Sequence, residues 1–287
     1  MRLFRQIQLV IVSLVAVALT FRAVAQPSPD TERKPRARVA LLSDPHVNLA
    51  TNGMDATFKP HFEKTIAQVN AAKVDFVLIA GDLTQTGNPE ELADFKIYLK
   101  EFHAPVWFAP GNHDVGNKLN SGKTEGTVTR ERVEAYEKAL GPSWFAQERV
   151  GVRVIGINSS LLGSGFEREG EMWKFLEKEL GKRIQVPTML FMHYPLFLKD
   201  LDEPGGDYFN TEPAPRKRLF DLLKQSGIKT VLTGHLHRTL VNRHDGILFV
   251  TTPPVSFGLP RGKQPEGWTL VTIFQNGEAT ETFQTIE

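Results

Sequence analysis

Seven residues able to hold a metal ion stand at the ends of apolar runs in this chain: Asp44 and His46, Asp82, Asn112, His193, and His235 with His237. Carboxylate oxygens, imidazole nitrogens and an amide carbonyl suit divalent cations such as Mn, Fe and Zn. Asp44-Pro45-His46 and His235-Leu236-His237 each set two donors at i and i+2, which in extended backbone point to the same side. Asp82 is the natural bridge, because a carboxylate has two oxygens and can serve two ions at once. Seven N/O donors are too many for one ion, so a pair of cations sharing Asp82 fits the count. His113 and Asp114 follow Asn112 directly. His113 is placed where it could face a substrate, and Asp114 where it could accept a hydrogen bond from the ring and fix its tautomer. Asp44-x-His46, Gly81-Asp82 and His193 are weak alone, since a single histidine at a strand end more often packs than ligates; His235-x-His237 is a moderate signal, and Gly111-Asn112-His113-Asp114 is the least easily an accident. The weight lies in the series D-x-H, GD, GNHD, H and GHxH, read in order along one chain.

The elements that must position these residues alternate between strand and helix. Apolar runs at 39–42, 75–80, 106–109, 188–192 and 230–233 read as buried strands, and each leads into one of the motifs. Helical patterns fall at 58–72, at 89–102 with Pro89 in the first turn, and around 129–140, 169–180 and 216–225. A hairpin-like pair spans 144–158, and Asp245-Gly246 and Asn276-Gly277 mark two further hairpins. Strand–helix alternation followed by hairpins predicts a mixed α/β fold, with sheets packed together and covered by helices. Ligands bind beyond the carboxyl ends of strands in such sheets, so five strand ends lying side by side would converge on one rim. Three other histidines serve as a control. His61 and His103 fall in helical patterns and His244 beside a turn, with no apolar strand leading in, so they read as surface or packing residues.

The chain of 287 residues is 41% hydrophobic and 23% charged, an ordinary globular composition. Cysteine is absent, which excludes disulfides, iron–sulfur clusters and thiol nucleophiles. Arg2 and Arg5, the apolar run 9–21 and Ala23-Val24-Ala25 form the pattern of an export signal, with cleavage expected before Gln26. The expectation is a periplasmic or secreted protein, the alternative being an uncleaved N-terminal anchor and hence membrane attachment. Residues 26–36 read as a linker and 37–287 as one domain. Cleavage removes three of 34 basic residues (Arg2, Arg5, Arg22) and none of 33 acidic ones, leaving a net charge of −2. That balance gives no electrostatic case for nucleic acid as a partner; it says nothing of oligomeric state.

The five-block series resembles the calcineurin-like metallophosphoesterase superfamily over residues 38 to 275. The resemblance is closest to the calcineurin-like phosphoesterase domain-containing protein 1 family, carried by Gly111-Asn112-His113-Asp114-Val115-Gly116-Asn117, His193-Tyr194-Pro195-Leu196-Phe197-Leu198, and Asp207-Tyr208-Phe209-Asn210 before Arg216-Lys217. It implies a four-layer β-sandwich of two mixed sheets flanked by helices. It implies one metal held by Asp44, His46, Asp82 and His237, a second by Asp82, Asn112, His193 and His235, and His113 as the catalytic histidine. The activity implied is hydrolysis of phosphate esters by metal-activated water, on a monoester or phosphoprotein, or alternatively on a cyclic-nucleotide or phospholipid diester. A non-catalytic module of this fold would be expected to have lost donors, and none is missing here. Purple acid phosphatases carry a tyrosine three residues after the bridging Asp; here that position is Gln85, so a tyrosinate-bound ferric ion is not expected. Substrate choice is expected from the connections at 158–160, 202–213 and 255–261. The second of these reads equally as a lid or as a surface excursion.

Overall fold

The structure is a computed structural model that describes residues 34–118, 126–181 and 184–286; the export signal, and the linker as far as residue 33, lie outside the described residues. Strands with no polar face must be covered on both sides, and the architecture does this. Parallel strands β1 (Pro35–Leu42), β2 (Phe76–Ala80) and β3 (Val106–Ala109) lie side by side. The antiparallel hairpin β10 (Gly267–Phe274) and β11 (Ala279–Thr285) completes this first sheet beside β1. The second sheet contains β4 (Phe145–Arg149), β5 (Val152–Gly156), β6 (Thr188–Phe191), β7 (Thr230–Thr233), β8 (Leu240–His244) and β9 (Ile247–Thr251). Its order is β4-β5-β6-β7-β9-β8, with β5, β6, β7 and β9 parallel.

Alternation along each strand sorts side chains into two apolar layers. Val39, Leu41, Phe76 and Leu78 of one sheet join Val154, Met189, Phe191, Leu232 and Val250 of the other in an inter-sheet core. The intervening Ala40, Leu42, Val77, Ile79, Ile155, Leu190 and Val231 belong to a second cluster with the helices. α1 (Phe58–Ala72) contributes Phe62, Ile66 and Val69, and α2 (Pro89–Tyr98) contributes Leu92 and Phe95. α5 (Arg168–Leu180) adds Met172 and Leu176, and α6 (Pro213–Ser226) adds Leu219 and Leu223. The helix starts follow capping chemistry. Asn88 accepts from Glu91 N at 2.9 Å ahead of Pro89, and Thr129 accepts from Arg132 N at the head of α4 (Arg130–Leu140).

Four details differ from the sequence expectation. β1 begins at Pro35, inside the stretch read as linker, because Pro35 pairs with Phe274 of β10. α2 stops at Tyr98 and tightens into a 3-10 turn over Leu99–Glu101, which leaves His103 beyond the helix. α6 begins at Pro213, whose fixed φ suits a first turn. The five motif-bearing strands do not form one row: β1, β2 and β3 belong to the first sheet, β6 and β7 to the second. The motifs meet because the inter-sheet core stacks the two sets of carboxyl ends against each other.

Candidate metal centre

The backbone turns sharply at each motif. Among the described residues, eight that are not glycine have positive φ, and five of them are expected donors: Asp44 (53°), His46 (46°), Asp82 (48°), His235 (71°) and His237 (52°). The left-handed region costs a side-chain-bearing residue about 1–2 kcal/mol, and such strain concentrates at functional sites. The other three, Lys73, Val150 and Asp245, stand at a helix end and at two hairpin turns. The D-x-H and H-x-H pairs therefore do not converge by strand alternation, as extended backbone would have it. Each is presented by left-handed turns, held by bonds such as Asp44 N to Gly81 O and His46 N to Asp82 O, both 3.0 Å.

The turns bring all seven expected donors into one buried place. Ligand-capable atoms of Asp44, His46, Asp82 and His237 lie within 4.8 Å of one another, as do those of Asp82, His193 and His235. Asn112 joins the second set, with Oδ1 3.0 Å from His193 Nε2. Asp82 belongs to both: its Oδ2 is 3.7 Å from His46 Nε2 and 3.2 Å from His193 Nε2.

Every histidine of the two sets has one ring nitrogen committed to an oxygen acceptor. His46 Nδ1 donates to Gln85 Oε1 (2.9 Å), His193 Nδ1 to Ala80 O (2.7 Å), His237 Nδ1 to Phe257 O (2.6 Å) and His235 Nε2 to Tyr208 O (3.1 Å). Donation to a carbonyl sets the tautomer and leaves the opposite nitrogen as a lone pair. Those opposite nitrogens face each other, His46 Nε2 with His237 Nε2 at 3.2 Å and His193 Nε2 with His235 Nδ1 at 3.0 Å. Asp44 Oδ1, buried and without a hydrogen-bond partner, lies 3.3 Å from His237 Nε2. Facing acceptors require a positive charge between them, either a proton or a cation. The same demand shows in the acidities. Burial opposes charge on His193, yet the Asp82 carboxylate pushes it up to about 9, while burial and the charge on His193 pull His235 down to about 3. Burial would raise Asp44, but His237 holds it down to about 2. Two cation positions sharing Asp82 fit this donor set.

Glycine permits the close approach. A Cβ on Gly111 would lie 2.1 Å from Asp82 Oδ1, and one on Gly234 would lie 1.6 Å from Ser43 Oγ. Gly111→Ala should therefore displace Asp82 and destabilise the fold by about 1–3 kcal/mol, the usual cost of overpacking. A thermal melt would fall by several degrees; an unchanged midpoint would show that the contact yields without strain.

Two sequence expectations need correction. Asp114 is not the orienter of His113. Its carboxylate accepts from Gly111 N, Leu83 N, Thr84 N and Thr84 Oγ1 at 2.8–3.1 Å, tying the turn after β3 to the turn after β2. Burial and the charge on Asp82 push Asp114 up to about 6. Its place next to His113 in sequence is misleading because the short helix α3 (Asn112–Val115) turns the two side chains apart. His113 Nδ1 instead donates to the carbonyl of Gln85 at 2.7 Å, its ring centroid 4.5 Å from that of His46. Gln85 thus orients His46 through its side chain and His113 through its backbone; the only sequence signal for it was the missing tyrosine. Ser159, proposed for substrate choice, is buried and accepts from His193 N and Tyr194 N, which makes it a support of the β6 end. In the 255–261 stretch, Phe257 packs 4.2 Å from the His237 ring. Of the control histidines, His61 donates to Ser256 O and His244 packs on Phe197 and Phe220; none of the three joins either cluster.

Comparison with known proteins agrees with this geometry. The family profile described as calcineurin-like phosphoesterase matches residues 37–239. A serine/threonine-protein phosphatase CPPED1 from Danio rerio is 31% identical over 222 residues, covering 71% of this chain and 66% of that protein's length. A probable glycerophosphodiester phosphodiesterase GpdQ from Arcobacter nitrofigilis is 29% identical over 231 residues, covering 74% of this chain and 76% of the relative. Among solved structures, a purple acid phosphatase from yellow lupin seeds superposes with a TM-score of 0.60 at 16% identity, over 86% of this chain and 51% of the other, which speaks for the fold alone.

Proposed function

The chain belongs to the calcineurin-like phosphoesterase family, and from that premise we propose that it is a metal-dependent hydrolase of phosphate monoesters, phosphoproteins among them. The observation that carries this reading is the pair of buried donor clusters sharing Asp82. Asp44, His46, Asp82 and His237 would hold one divalent cation, and Asp82, Asn112, His193 and His235 the other. Two divalent cations, when bound, lower the pKa of water and offset the charge gathering on the phosphate oxygens. The chain's own residues supply orientation and a proton. His113, held through Nδ1 by Gln85 O, would act as the doubly protonated imidazolium and give its Nε2 proton to the departing ester oxygen. Asp114 keeps the turns bearing Asp82 and His113 in register through its four donors.

A diester substrate is the second reading, favoured by the GpdQ-named relative. Turnover of p-nitrophenyl phosphate against bis-p-nitrophenyl phosphate separates the two, alongside metal analysis of the purified chain. The expected result is faster monoester turnover that chelation abolishes and Mn restores. Preferential diester turnover would overturn the monoester assignment, and full activity after exhaustive chelation would overturn the metal-dependent one.

Residues 1–25 are proposed as an export signal cleaved before Gln26, which would place the protein in the periplasm or outside the cell. No helix among the described residues is long and apolar enough to cross a membrane; an uncleaved N-terminal segment acting as an anchor is the alternative to export. Intact mass of the native protein tests this: a mature chain starting at Gln26 is expected, and a retained Met1 would refute cleavage.

A further inference from the structure

Tyr208, outside the seven donors, makes hydrogen bonds to two of them, and both belong to the same cluster. Tyr208 lies in the 202–213 segment, and its phenol oxygen accepts from Asn112 Nδ2 at 3.0 Å. A side-chain amide can present either its oxygen or its nitrogen. Engaging the nitrogen turns Asn112 Oδ1 inward, to 3.0 Å from His193 Nε2. The backbone carbonyl of Tyr208 accepts from His235 Nε2 at 3.1 Å, which turns Nδ1 of that ring inward, and the two ring centroids lie 4.8 Å apart. The histidines of the other cluster are oriented from elsewhere, His46 by Gln85 and His237 by Phe257.

The segment carrying Tyr208 is braced from below. Lys118, buried, donates to Asp207 O at 2.7 Å and to Glu212 Oε1 at 2.6 Å. Arg216, fully buried, donates to Leu201 O, Glu203 O and Thr211 O at 2.6–3.0 Å. Two buried cations thus grip both arms of the segment while its middle reaches the metal centre. The segment is tied at both arms to buried side chains.

We infer that Tyr208 is a positioning residue for one cation only: its hydroxyl and carbonyl orient Asn112 and His235, so the 202–213 segment sets the affinity of the Asp82–Asn112–His193–His235 position independently of the other. The inference rests on the metal reading above. It makes Gln85 and Tyr208 counterparts, each tuning one of two positions that share a carboxylate.

The test is calorimetric titration of the metal-stripped full chain with Mn alone, for wild type, Tyr208→Phe, Gln85→Leu and the double variant. Tyr208→Phe keeps the ring and the carbonyl and removes only the hydroxyl. One cation should bind as in wild type and the other roughly 10–100-fold more weakly, the usual effect of losing an outer partner. Gln85→Leu should likewise weaken a single position, and the double variant should weaken both. Thermal melts of the stripped proteins should coincide for wild type and Tyr208→Phe. Two unaltered positions in Tyr208→Phe, equal weakening of both, or a double variant with one position still at wild-type affinity would each overturn the inference and leave the metal reading standing. A wild-type chain that binds fewer than two cations would overturn the metal reading itself, and this inference with it.

Discussion

Replacing Asp82 with asparagine should leave a folded chain that no longer holds a pair of cations and hydrolyses phosphate esters at least about 10³-fold more slowly. Asp82 Oδ2 reaches both clusters, 3.2 Å from His193 Nε2 and 3.7 Å from His46 Nε2. Asparagine matches the shape and can still accept from His113 N, which Asp82 Oδ1 does at 2.9 Å. The substitution therefore removes the negative charge and one oxygen, and little else. Metal ions contribute several kcal/mol of transition-state charge stabilisation; at 1.36 kcal/mol per tenfold, about 4 kcal/mol corresponds to about 10³. Elemental analysis should find fewer than two cations per chain, with the circular dichroism of wild type. A variant that retained both cations and wild-type turnover would remove Asp82 from the centre.

His113→Ala should behave differently. Cation content should be that of wild type, because the His113 ring belongs to neither donor set, while kcat falls by roughly 10²–10⁴, the range for loss of a general acid. The leaving group supplies the discriminating measurement. p-Nitrophenolate departs readily without a proton and phenolate does not, so the loss should be larger for phenyl phosphate than for p-nitrophenyl phosphate. An equal loss on both would mean that His113 serves binding rather than proton transfer. No loss on either would take it out of the reaction. Gln85 should matter to this step through its backbone only, since it is the carbonyl that accepts from His113 Nδ1.

Much of the fold was readable because buried parallel strands and amphipathic helices write their periods directly into the order of residues. β7 (Thr230–Thr233) and α1 (Phe58–Ala72) fall where the apolar pattern puts them, and the two Asx-Gly turns form hairpins between β8 and β9 and between β10 and β11. The donor types were readable for a related reason: buried Asp, Asn and His at the ends of apolar runs are costly unless something compensates them. The expected geometry of the pairs was wrong. Asp44 with His46 and His235 with His237 looked like same-face pairs on extended backbone, whereas all four adopt left-handed φ. Local sequence does not record that choice, because surrounding contacts impose it, such as Asp44 Oδ2 accepting from His235 N across 191 residues.

What the sequence determined alone is therefore chemical: which residues carry donors, which runs bury, and that seven donors call for two cations. Only the tertiary structure decided which partners orient them. Gln85 replaced Asp114 beside His113, and Tyr208 reached Asn112 from 96 residues away. The reason is physical. Burial and period are properties of a segment, whereas a hydrogen bond between turns of different sheets depends on how those sheets stack, and no single segment encodes that arrangement.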